Sequence, residues 1–301
     1  MILVVGATGL VGSDICRRLA ARGDLVRALV RPSSDPAKVQ ALHDAGVETV
    51  VGDLRDRASL AAACHDVSAV IETAAAMPFS FVAGVNDIAT TDIAGVESLF
   101  EAAETAGVTH MVYLSFSRHI DLDFPLRNAK RRIEARLRES RLTYTILRPS
   151  YFMEVWLSPA VGFDAANATA VVYGDGTRPV SWVSSGDVAE LAARCLRNPA
   201  ARDATIEMGG PEALTPLDVV RVFEEVAGRP FSVTHVPAQA LAAQERAATD
   251  DMGRSFAGLM RCLAKGDAIP MAEAVRTFGL ELTPVRSYAE ATLAASAVAV
   301  G

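Results

Sequence analysis

The chain has 301 residues, half of them hydrophobic, and a net charge of −7 at neutral pH. This length allows one large domain or two ordinary ones, and the acidic balance argues against nucleic-acid binding, which needs a basic face. The four cysteines are isolated, and neither they nor the five histidines have the spacing of metal ligands, so we predict reduced thiols and no metal. We find no signal peptide and no apolar membrane span, and expect a cytoplasmic protein without a membrane partner.

The first 31 residues predict a dinucleotide-phosphate site. An apolar strand at 2–5 leads into Gly6, Gly9 and Gly12, followed by an amphipathic helix and a second strand at 25–30. The first glycine of such a loop permits a sharp turn, the second admits the pyrophosphate, and the third lets the helix pack close to the sheet. The helix N-terminus then faces the phosphate. The predicted contacts are Gly6, Thr8, Gly9, Leu10, Val11 and Gly12.

The residue after the second strand indicates which cofactor binds. A carboxylate at this position binds both ribose hydroxyls of NAD, whereas an arginine pairs with the 2′-phosphate of NADP. Arg31 occupies the position, and Ser33 and Ser34 can complete a phosphate pocket. We therefore predict NADPH rather than NADH. The alternative is that Arg31 is an ordinary surface arginine.

Alternating strands and helices predict an α/β fold, a doubly wound parallel sheet of the Rossmann type. Apolar runs rich in Val or Ile mark the predicted strands near 2–5, 25–30, 47–51, 68–73, 110–115 and 143–148. Residues 1–150 are expected to form the dinucleotide-binding domain. Residues 151–301 are expected to form a smaller, mostly helical substrate lobe, from which a strand near 204–208 returns to the sheet.

Several segments of the predicted substrate lobe have recognisable patterns. Aromatic residues separated by Gly and Pro over 151–182 predict a pocket. Polar residues 184–187 precede a helix at 188–197, and a helix begins at Thr215-Pro216 and ends at Gly228. A further helix at 240–265 is either a lid or part of the core.

Residues at the ends of the third and fourth strands are also predicted to touch the cofactor. Asp53, followed by Leu54, either accepts a hydrogen bond from the adenine amine or caps the next helix. Thr73, Ala74 and Ala75 are small enough to let the cofactor pass, or else they pack tightly in the core.

A family resemblance supports this interpretation. Over residues 1–210 the sequence contains, in order, Gly6-Ala-Thr-Gly-x-x-Gly12, Val26-Arg-Ala-Leu-Val-Arg31, Gly52-Asp-Leu54, Tyr144-Thr-Ile-Leu-Arg-Pro149, Phe152-Met-Glu154 and Asp187-Val-Ala189. Together these motifs resemble the atypical short-chain dehydrogenase/reductases, in their NmrA-like, NAD(P)H-binding branch. The resemblance implies a Rossmann domain, a small C-terminal substrate lobe and NADP(H), with Pro149 and Phe152 at the cofactor. Members include quinone, dye and phenylpropanoid-ether reductases, and also redox sensors that bind the cofactor without reacting.

Lys130 is the strongest candidate for a catalytic residue. It is one of only three lysines among 29 basic residues, and it shares a helix face with Leu126, Ile133 and Leu137, so its ammonium is expected to face inward and to need a partner. Standard members of the superfamily pair this lysine with a tyrosine four residues earlier, where this chain has Leu126. The usual alcohol–ketone mechanism and a sugar epimerase are therefore disfavoured. The resemblance implies that Lys130 binds the nicotinamide ribose and can donate a proton; the alternative is a lysine that reaches solvent.

Three further residues are candidates for binding or protonating the substrate. Ser115 ends the fifth strand and is predicted to bind a substrate oxygen or to cap the backbone. His119, in the following loop, is a candidate acid or an incidental surface residue. Tyr151 offers a phenol or a pocket wall. The arginines of the helix that contains Lys130, interspersed with Glu134 and Glu139, are interpreted as a solvated face.

We predict an NADPH-dependent reductase that transfers hydride to a small hydrophobic molecule, aromatic or conjugated, such as a quinone, enone, ketone or activated ether. A conjugated acceptor tolerates the missing tyrosine, because a delocalised anion needs less proton assistance than a simple alkoxide. The alternative is a non-catalytic NADP(H)-binding redox sensor that presents a surface to a protein partner. The sequence leaves the oligomeric state open.

Overall fold

The computed structural model of the protein describes residues 1–76 and 81–300, and of residues 297–300 it describes only the backbone. The chain divides into two compact units. The first unit comprises Met1–Phe116, Pro125–Arg148 and Val188–Ile206, and the second comprises Ser117–Phe124, Pro149–Asp187 and Glu207–Gly301.

Strands and helices alternate along the first half of the chain, and helices predominate in the second. The elements up to residue 149 are β1 (Ile2–Val5), α1 (Leu10–Ala21), β2 (Val26–Val30), α2 (Pro36–Asp44), β3 (Glu48–Val51), α3 (Arg57–Ala63), β4 (Ala69–Glu72), a π-helix (Ile88–Gly95), α4 (Val96–Thr105), β5 (His110–Leu114), α5 (Pro125–Arg138) and β6 (Thr143–Pro149). The later elements are α6 (Met153–Trp156), a 3₁₀ turn (Pro159–Val161), β7 (Phe163–Asp164), β8 (Thr169–Tyr173), α7 (Ser185–Cys195), a 3₁₀ turn (Pro199–Ala201), β9 (Ala204–Met208), α8 (Pro216–Ala227), β10 (Ser232–Val236), α9 (Ala238–Ala247), α10 (Asp251–Lys265), α11 (Ala272–Phe278) and α12 (Val285–Val300).

Seven strands form the larger of the two sheets. Its order is β3-β2-β1-β4-β5-β6-β9, and β1 to β6 pair in parallel. Val5, the last residue of β1, lies opposite Leu29 of β2 and Glu72 of β4, so the segments that follow these strands begin at one edge of the sheet. The predicted parallel α/β fold is confirmed, and the predicted strand at 204–208 coincides with β9.

Helices α4 and α5 pack with the strands in one hydrophobic cluster of the first unit. Leu3 and Tyr113 contribute from the strands, Phe100 from α4, and Ile133 and Leu137 from α5. The Phe100 and Tyr113 rings meet edge to face at 6.4 Å. Burying each such side chain stabilises the fold by about 1.5–3 kcal/mol, which is why this part of the chain holds its strand ends in fixed positions.

The second unit contains a small sheet that the sequence pattern did not predict. Strands β10, β8 and β7 are hydrogen-bonded in that order, with β10 and β8 parallel and β7 and β8 antiparallel. β7 has only two residues, too few to show the alternation that marks a strand. The residues that the aromatic pattern assigned to a pocket pack on one another: the rings of Trp156 and Tyr173 meet edge to face at 6.3 Å. The cavity that these two residues help to line has about 20 Å³, room for about one water molecule.

Two predicted helices differ in their bounds. The helix predicted at 240–265 is two helices, α9 and α10, because Asp250 between them accepts a hydrogen bond from Gly253 N at 2.7 Å and caps α10. Met252 and Met260 of α10 are buried, in agreement with core packing rather than a lid. The other helix, α7, begins at Ser185, because Ser184 rather than Asp187 provides its cap through Gly186 N.

Among the residues that the structure describes, no helix has the length and apolar character needed to cross a membrane.

Candidate functional site

The loop between β1 and α1 has no room for side chains at two of its glycines. Gly6 has φ +80°, a conformation that favours glycine, and a Cβ at this position would lie 2.6 Å from Thr73 Oγ1. A Cβ at Gly12 would lie 2.3 Å from the Gly6 carbonyl oxygen. Gly9 is different, because a Cβ there would meet only that same oxygen at 3.1 Å. Gly6 and Gly12 therefore shape the loop, while the open side of Gly9 is free of protein atoms that would prevent a ligand from approaching.

The N-terminus of α1 is suited to an anion. Its first N–H groups have no partners within the helix, and the N-cap residue, Gly9, has no side chain to satisfy them. Gly9 and Leu10 are exposed, whereas Ala7 and Val11 are buried. Together with the partial positive charge of the helix end, this arrangement fits a phosphate group.

Arg31 lies in an exposed turn directly after β2. The turn is closed by hydrogen bonds from Ser34 N to the Arg31 carbonyl oxygen at 2.9 Å and from Arg31 N to Ser34 Oγ at 3.0 Å. Ser33 is exposed beside it. The turn leaves the guanidinium in solvent, close enough to Asp53 to act electrostatically on that carboxylate.

Asp53 is engaged by a neighbour that the sequence analysis did not single out. Its carboxylate accepts hydrogen bonds from Arg55 Nε at 2.8 Å and Arg55 Nη2 at 2.7 Å, and these bonds hold the pKa of Asp53 below its usual value. The alternative of Asp53 as a helix cap is wrong, because Asp56 caps α3 through Ala58 N. An adenine amine would have to share the Asp53 carboxylate with Arg55. Leu54 is buried.

The segment after β4 is held from both ends. Thr73 Oγ1 donates to the Val5 carbonyl oxygen at 2.9 Å, which ties the segment to β1 beside the glycine loop. Glu72 accepts from Ala74 N at 2.7 Å, and Asp92 of the π-helix accepts from Ala76 N at 3.0 Å. Thr73 and Ala74 are thereby placed against Gly6, with Ala75 next to them in the segment.

Lys130 faces inward, as its helix position predicts, and its side chain is 5% exposed. Its Nζ lies 3.6 Å from Asp92 Oδ1, an ion-pair distance too long for a hydrogen bond. It also lies 5.1 Å from the centroid of the Tyr113 ring. Glu72 interacts electrostatically with both Lys130 and Asp92. The predicted alternative of a lysine that reaches solvent is therefore wrong, since the side chain is enclosed by the acidic and aromatic partners.

The acidic groups near Lys130 are unusually easy to protonate. Burial raises the pKa of Glu72 to about 8, against the opposing attraction of Lys130. Burial also raises the pKa of Asp92, and it raises the pKa of the Tyr113 phenol well above its ordinary value. Two carboxyl groups thus compete for one ammonium in a site that water hardly reaches.

Glu72 and Asp92 are the functional candidates that the sequence analysis missed. Glu72 is a carboxylate at the end of an otherwise apolar strand, where every residue is buried, and that anomaly is a signal in the sequence. Asp92 offered no such signal, because its position depends on an eight-residue π-helix, a rare form that often occurs at functional sites.

Ser115 belongs to a second buried network, around Glu134. The Ser115 hydroxyl donates to Glu134 Oε1 at 2.6 Å, and Arg131 and Arg148 donate to the same carboxylate. Glu134 is buried, so its assignment to a solvated helix face is wrong: it lies four residues after Lys130 and hence on the same face of α5. Burial would raise the pKa of Glu134, but the hydrogen bonds from Arg148 and Ser115 lower it to about 2.

Substituting Glu134 with glutamine is expected to destabilise the protein at neutral pH by about 2 kcal/mol, because the arginines are left without a counterion but are partly exposed and can be hydrated. The pKa of Glu134 in the folded protein, about 2, is below the ordinary glutamate value of 4.5, so the stabilisation is present above pH 4.5 and is lost as pH falls towards 2. Urea unfolding at a series of pH values measures the difference. Glu139→Gln, at an exposed position near the end of the same helix, is the control. Equal stability of the Glu134→Gln variant and the wild type at pH 7 would contradict the prediction.

His119 is oriented by a carboxylate in the second unit. His119 Nδ1 lies 2.8 Å from Asp267 Oδ1, and Ser117 Oγ donates to the same oxygen at 2.7 Å. Asp267 and Ser117 are buried, whereas the His119 side chain is 35% exposed. A carboxylate on Nδ1 fixes the orientation of the ring, and Nε2 accepts a hydrogen bond from Arg118 Nε at 3.1 Å.

The remaining predicted site residues lie on the segment from the end of β6 to α6. Pro149 ends β6 and accepts a hydrogen bond from Ser117 N at 3.0 Å. The Tyr151 side chain is buried, and its hydroxyl donates to the Leu259 carbonyl oxygen at 3.0 Å. Phe152 precedes α6 and is partly exposed. Tyr151 therefore already uses the proton that it would offer to a substrate.

The comparisons with known proteins identify relatives that are reductases. NAD(P)H azoreductase from Xenophilus azovorans is 32% identical over 232 residues, which cover 76% of this chain and 75% of that protein. A Streptomyces griseus protein, (4-alkanoyl-5-oxo-2,5-dihydrofuran-3-yl)methyl phosphate reductase, is 34% identical over 233 residues, which cover 77% of this chain and 75% of that protein. These relatives support the prediction of an NAD(P)H-dependent oxidoreductase.

Solved structures confirm the fold. The NADPH complex of the NADPH-dependent quinone oxidoreductase QOR2 from Escherichia coli superposes with a TM-score of 0.77, covering 97% of this chain and 100% of that chain, at 21% identity. At this identity the likeness concerns the fold alone. The NmrA-like family matches residues 1–281, a range that includes the glycine loop, Lys130 and the motifs of the second half. The resemblance inferred from those motifs is confirmed: the chain belongs to the NmrA-like family.

Proposed function

We propose that the protein is an NADPH-dependent reductase of a small, hydrophobic, conjugated acceptor. The observation that carries the proposal is the pairing, within the first unit, of a glycine loop that fits a pyrophosphate with an enclosed lysine ammonium. The glycine loop would bind the pyrophosphate of the cofactor. The lysine would provide a positive charge and a proton for the reduced acceptor. Two relatives that are reductases, 32% and 34% identical, support the same reaction class.

The residues present fit the cofactor. Gly6 and Gly12 form a cradle that a Cβ would fill, Gly9 gives backbone access at the start of α1, and Thr73 with Ala74 forms its other wall. The nicotinamide cofactor supplies the hydride when it is bound. The chain's own contribution is to hold the pyrophosphate on the N–H groups of Gly9, Leu10 and Val11, and to bind the nicotinamide ribose through Lys130.

Arg31 is proposed to select NADPH over NADH. Its exposed guanidinium follows β2, where the 2′-phosphate lies in this fold, and a charge-assisted bond of about 1.5–3 kcal/mol corresponds to one to two decades of affinity. We expect Arg31→Gln to weaken NADPH binding by about ten- to a hundredfold and to leave NADH binding nearly unchanged. Fluorescence titration with both cofactors measures the ratio, and Arg57→Gln, with a 72% exposed side chain in the same unit, is the control. If the ratio of NADPH affinity to NADH affinity is the same in Arg31→Gln and in the wild type, residues other than Arg31 select the cofactor.

The acceptor is proposed to be a conjugated molecule because the tyrosine position holds Leu126, which is fully buried and has no proton to give. Hydride addition to an enone or a quinone leaves an anion spread over several atoms, and such an anion needs less proton assistance than the localised alkoxide from a saturated ketone, so Lys130 can serve as its proton source. The Streptomyces griseus relative is named for an unsaturated lactone, and the Xenophilus azovorans relative for azo compounds. Both compound types are conjugated.

His119 is proposed to bind the acceptor, since Asp267 orients its ring. Its Nε2 accepts a hydrogen bond from Arg118 at 3.1 Å, so the ring would have to exchange that partner. Ser115 and Tyr151 are proposed as secondary contacts. Both hydroxyls donate to protein oxygens, at 2.6 Å and 3.0 Å respectively, so each would have to accept rather than donate a hydrogen bond, or to exchange its partner. Pro149 and Phe152 remain proposed cofactor contacts.

The test is the loss of nicotinamide absorbance when purified protein is mixed with NADPH and a panel of unsaturated lactones, quinones and azo compounds. We expect oxidation with at least one conjugated acceptor and none with saturated ketones. Binding of NADPH without oxidation by any member of the panel would contradict the proposal and favour the redox-sensor alternative.

A further inference from the structure

The charges around Lys130 do not balance. Glu72 and Asp92 are fully buried, and Lys130 is 4% exposed. If both carboxyl groups were ionised, one ammonium would face two negative charges out of contact with water, and an uncompensated buried charge is costly. A single added proton removes that cost.

The hydrogen bonds leave places for such a proton. Glu72 uses Oε1 to accept from Ala74 N, and Asp92 uses Oδ2 to accept from Ala76 N. The other two oxygens, Glu72 Oε2 and Asp92 Oδ1, are buried and have no hydrogen-bond partner among the described residues. Each carboxyl group therefore has one oxygen held by the backbone and one oxygen able to carry a proton.

Among the described residues, the groups that act electrostatically on Glu72 and Asp92 include no second positive charge. The π-helix brings Asp92, and Asp87 before it acts on Asp92 with the same sign. Strand β5 brings Tyr113, whose buried hydroxyl has no partner among the described residues. Helix α5 brings Lys130.

Arg131 and Glu134 also act electrostatically on Tyr113. Arg131 is bound to Glu134 at 2.6 Å, and its charge is therefore committed to the second network.

We propose that Glu72 and Asp92 share one proton at neutral pH, and that this proton restores the ammonium of Lys130 after the lysine has protonated the reduced acceptor. The shared acid thus takes the place of the tyrosine that Leu126 replaces. The catalytic half of the proposal rests on the proposed reductase function, whereas the shared proton does not.

A nicotinamide cofactor, when bound, would supply a hydride, so the reduced acceptor would carry one added electron pair and one negative charge. An N–H bond of Lys130 breaks and an O–H bond forms on the acceptor, leaving a neutral amine. The O–H bond of the Glu72–Asp92 pair then breaks and the N–H bond forms again, leaving two carboxylates beside one ammonium. One proton from water returns the pair to its starting state. Glu72, with a pKa of about 8, is the member suited to hold it.

Infrared spectroscopy with ¹³C-labelled carboxyl groups tests the shared proton without any reaction. At pH 7 we expect a carbonyl band of a protonated carboxylic acid in the wild type. The band should be lost in both Glu72→Gln and Asp92→Asn, because a single remaining carboxylate is neutralised by Lys130 and has no reason to keep a proton. Glu101→Gln, at a half-exposed position of the same unit, should keep it. In the wild type the band should disappear as pH rises through about 8.

Two results would overturn the shared proton. Absence of the band in the wild type at pH 7 would mean that both carboxyl groups are ionised. Persistence of the band in Asp92→Asn, with loss in Glu72→Gln, would mean that burial alone protonates Glu72 and that nothing is shared. Because the wild-type titration is read directly, the test does not depend on the folding of one variant.

The catalytic half is tested by the pH profile of NADPH oxidation together with NADPH affinity. We expect Glu72→Gln to keep NADPH affinity, to lower kcat about tenfold or more, and to lose the decline in kcat that the wild type shows as pH rises through about 8. The same pH profile in both proteins would exclude the pair from the reaction. If the wild type reduces no acceptor, the reductase function fails and the catalytic half fails with it, while the infrared result still decides whether the proton is shared.

Discussion

Replacing Lys130 with methionine is expected to lower the rate of NADPH-dependent reduction by about 100-fold or more, the range over which general acids contribute. Methionine keeps the length of the side chain but removes the charge, so the ribose loses a donor and the reduced acceptor loses its proton source. The variant should still fold, because Glu72 and Asp92 can each take up a proton when the ammonium is absent.

The measurements are kcat with a conjugated acceptor and the Kd for NADPH, with circular dichroism to show that the variant is folded. Lys38→Met is the matched control, since Lys38 is an exposed lysine of α2 in the same unit, and it should behave as the wild type. A folded Lys130→Met protein that retains the wild-type kcat would remove Lys130 from the reaction.

Alanine at Gly9 and at Gly12 should have different effects, because the two glycines are needed for different reasons. A Cβ at Gly12 would overlap the Gly6 carbonyl oxygen at 2.3 Å, so Gly12→Ala forces α1 away from the sheet and should cost about 1–3 kcal/mol of stability. A Cβ at Gly9 would meet that oxygen only at 3.1 Å, so the loop can adjust. The added methyl group would instead occupy space needed by the pyrophosphate, and NADPH affinity should fall about tenfold or more, which corresponds to ~1.4 kcal/mol.

Thermal unfolding without ligand and NADPH titration separate the two effects. Gly12→Ala should lose both stability and binding, Gly9→Ala should lose mainly binding, and Ser13→Ala, next to Gly12 in α1, should lose neither. If Gly9→Ala binds NADPH as tightly as the wild type does, the pyrophosphate does not lie where the loop geometry indicates.

The sequence predicted the parallel sheet because its strands are buried on both faces and appear as continuous apolar runs. It also predicted the inward face of Lys130, since helical spacing to Leu126 and Ile133 is a local property. The failures concern long-range arrangement. The sequence pattern did not predict β7, which has only two residues, or β8, which pairs with a strand more than sixty residues later in the chain, β10.

The candidate site shows the same limit. The glycine loop is contiguous in sequence and was identified in full. Asp92 reaches Lys130 only through the π-helix, and Asp267 reaches His119 across 148 residues, so neither partner could be found from spacing. Glu134 was misassigned because charged residues were taken to be exposed, although its position four residues after Lys130 placed it on the buried face.

The transfer of deuterium from C4-deuterated NADPH to an α,β-unsaturated lactone tests the reductase assignment most directly. With the cofactor labelled on one face of C4 and then on the other, we expect one of the two labelled cofactors to give a saturated product with one deuterium on carbon, in an amount equal to the NADPH oxidised. Lys130→Met should give almost none. If NADPH binds tightly but neither the lactone nor any quinone or azo acceptor oxidises it, the protein is not the reductase proposed here.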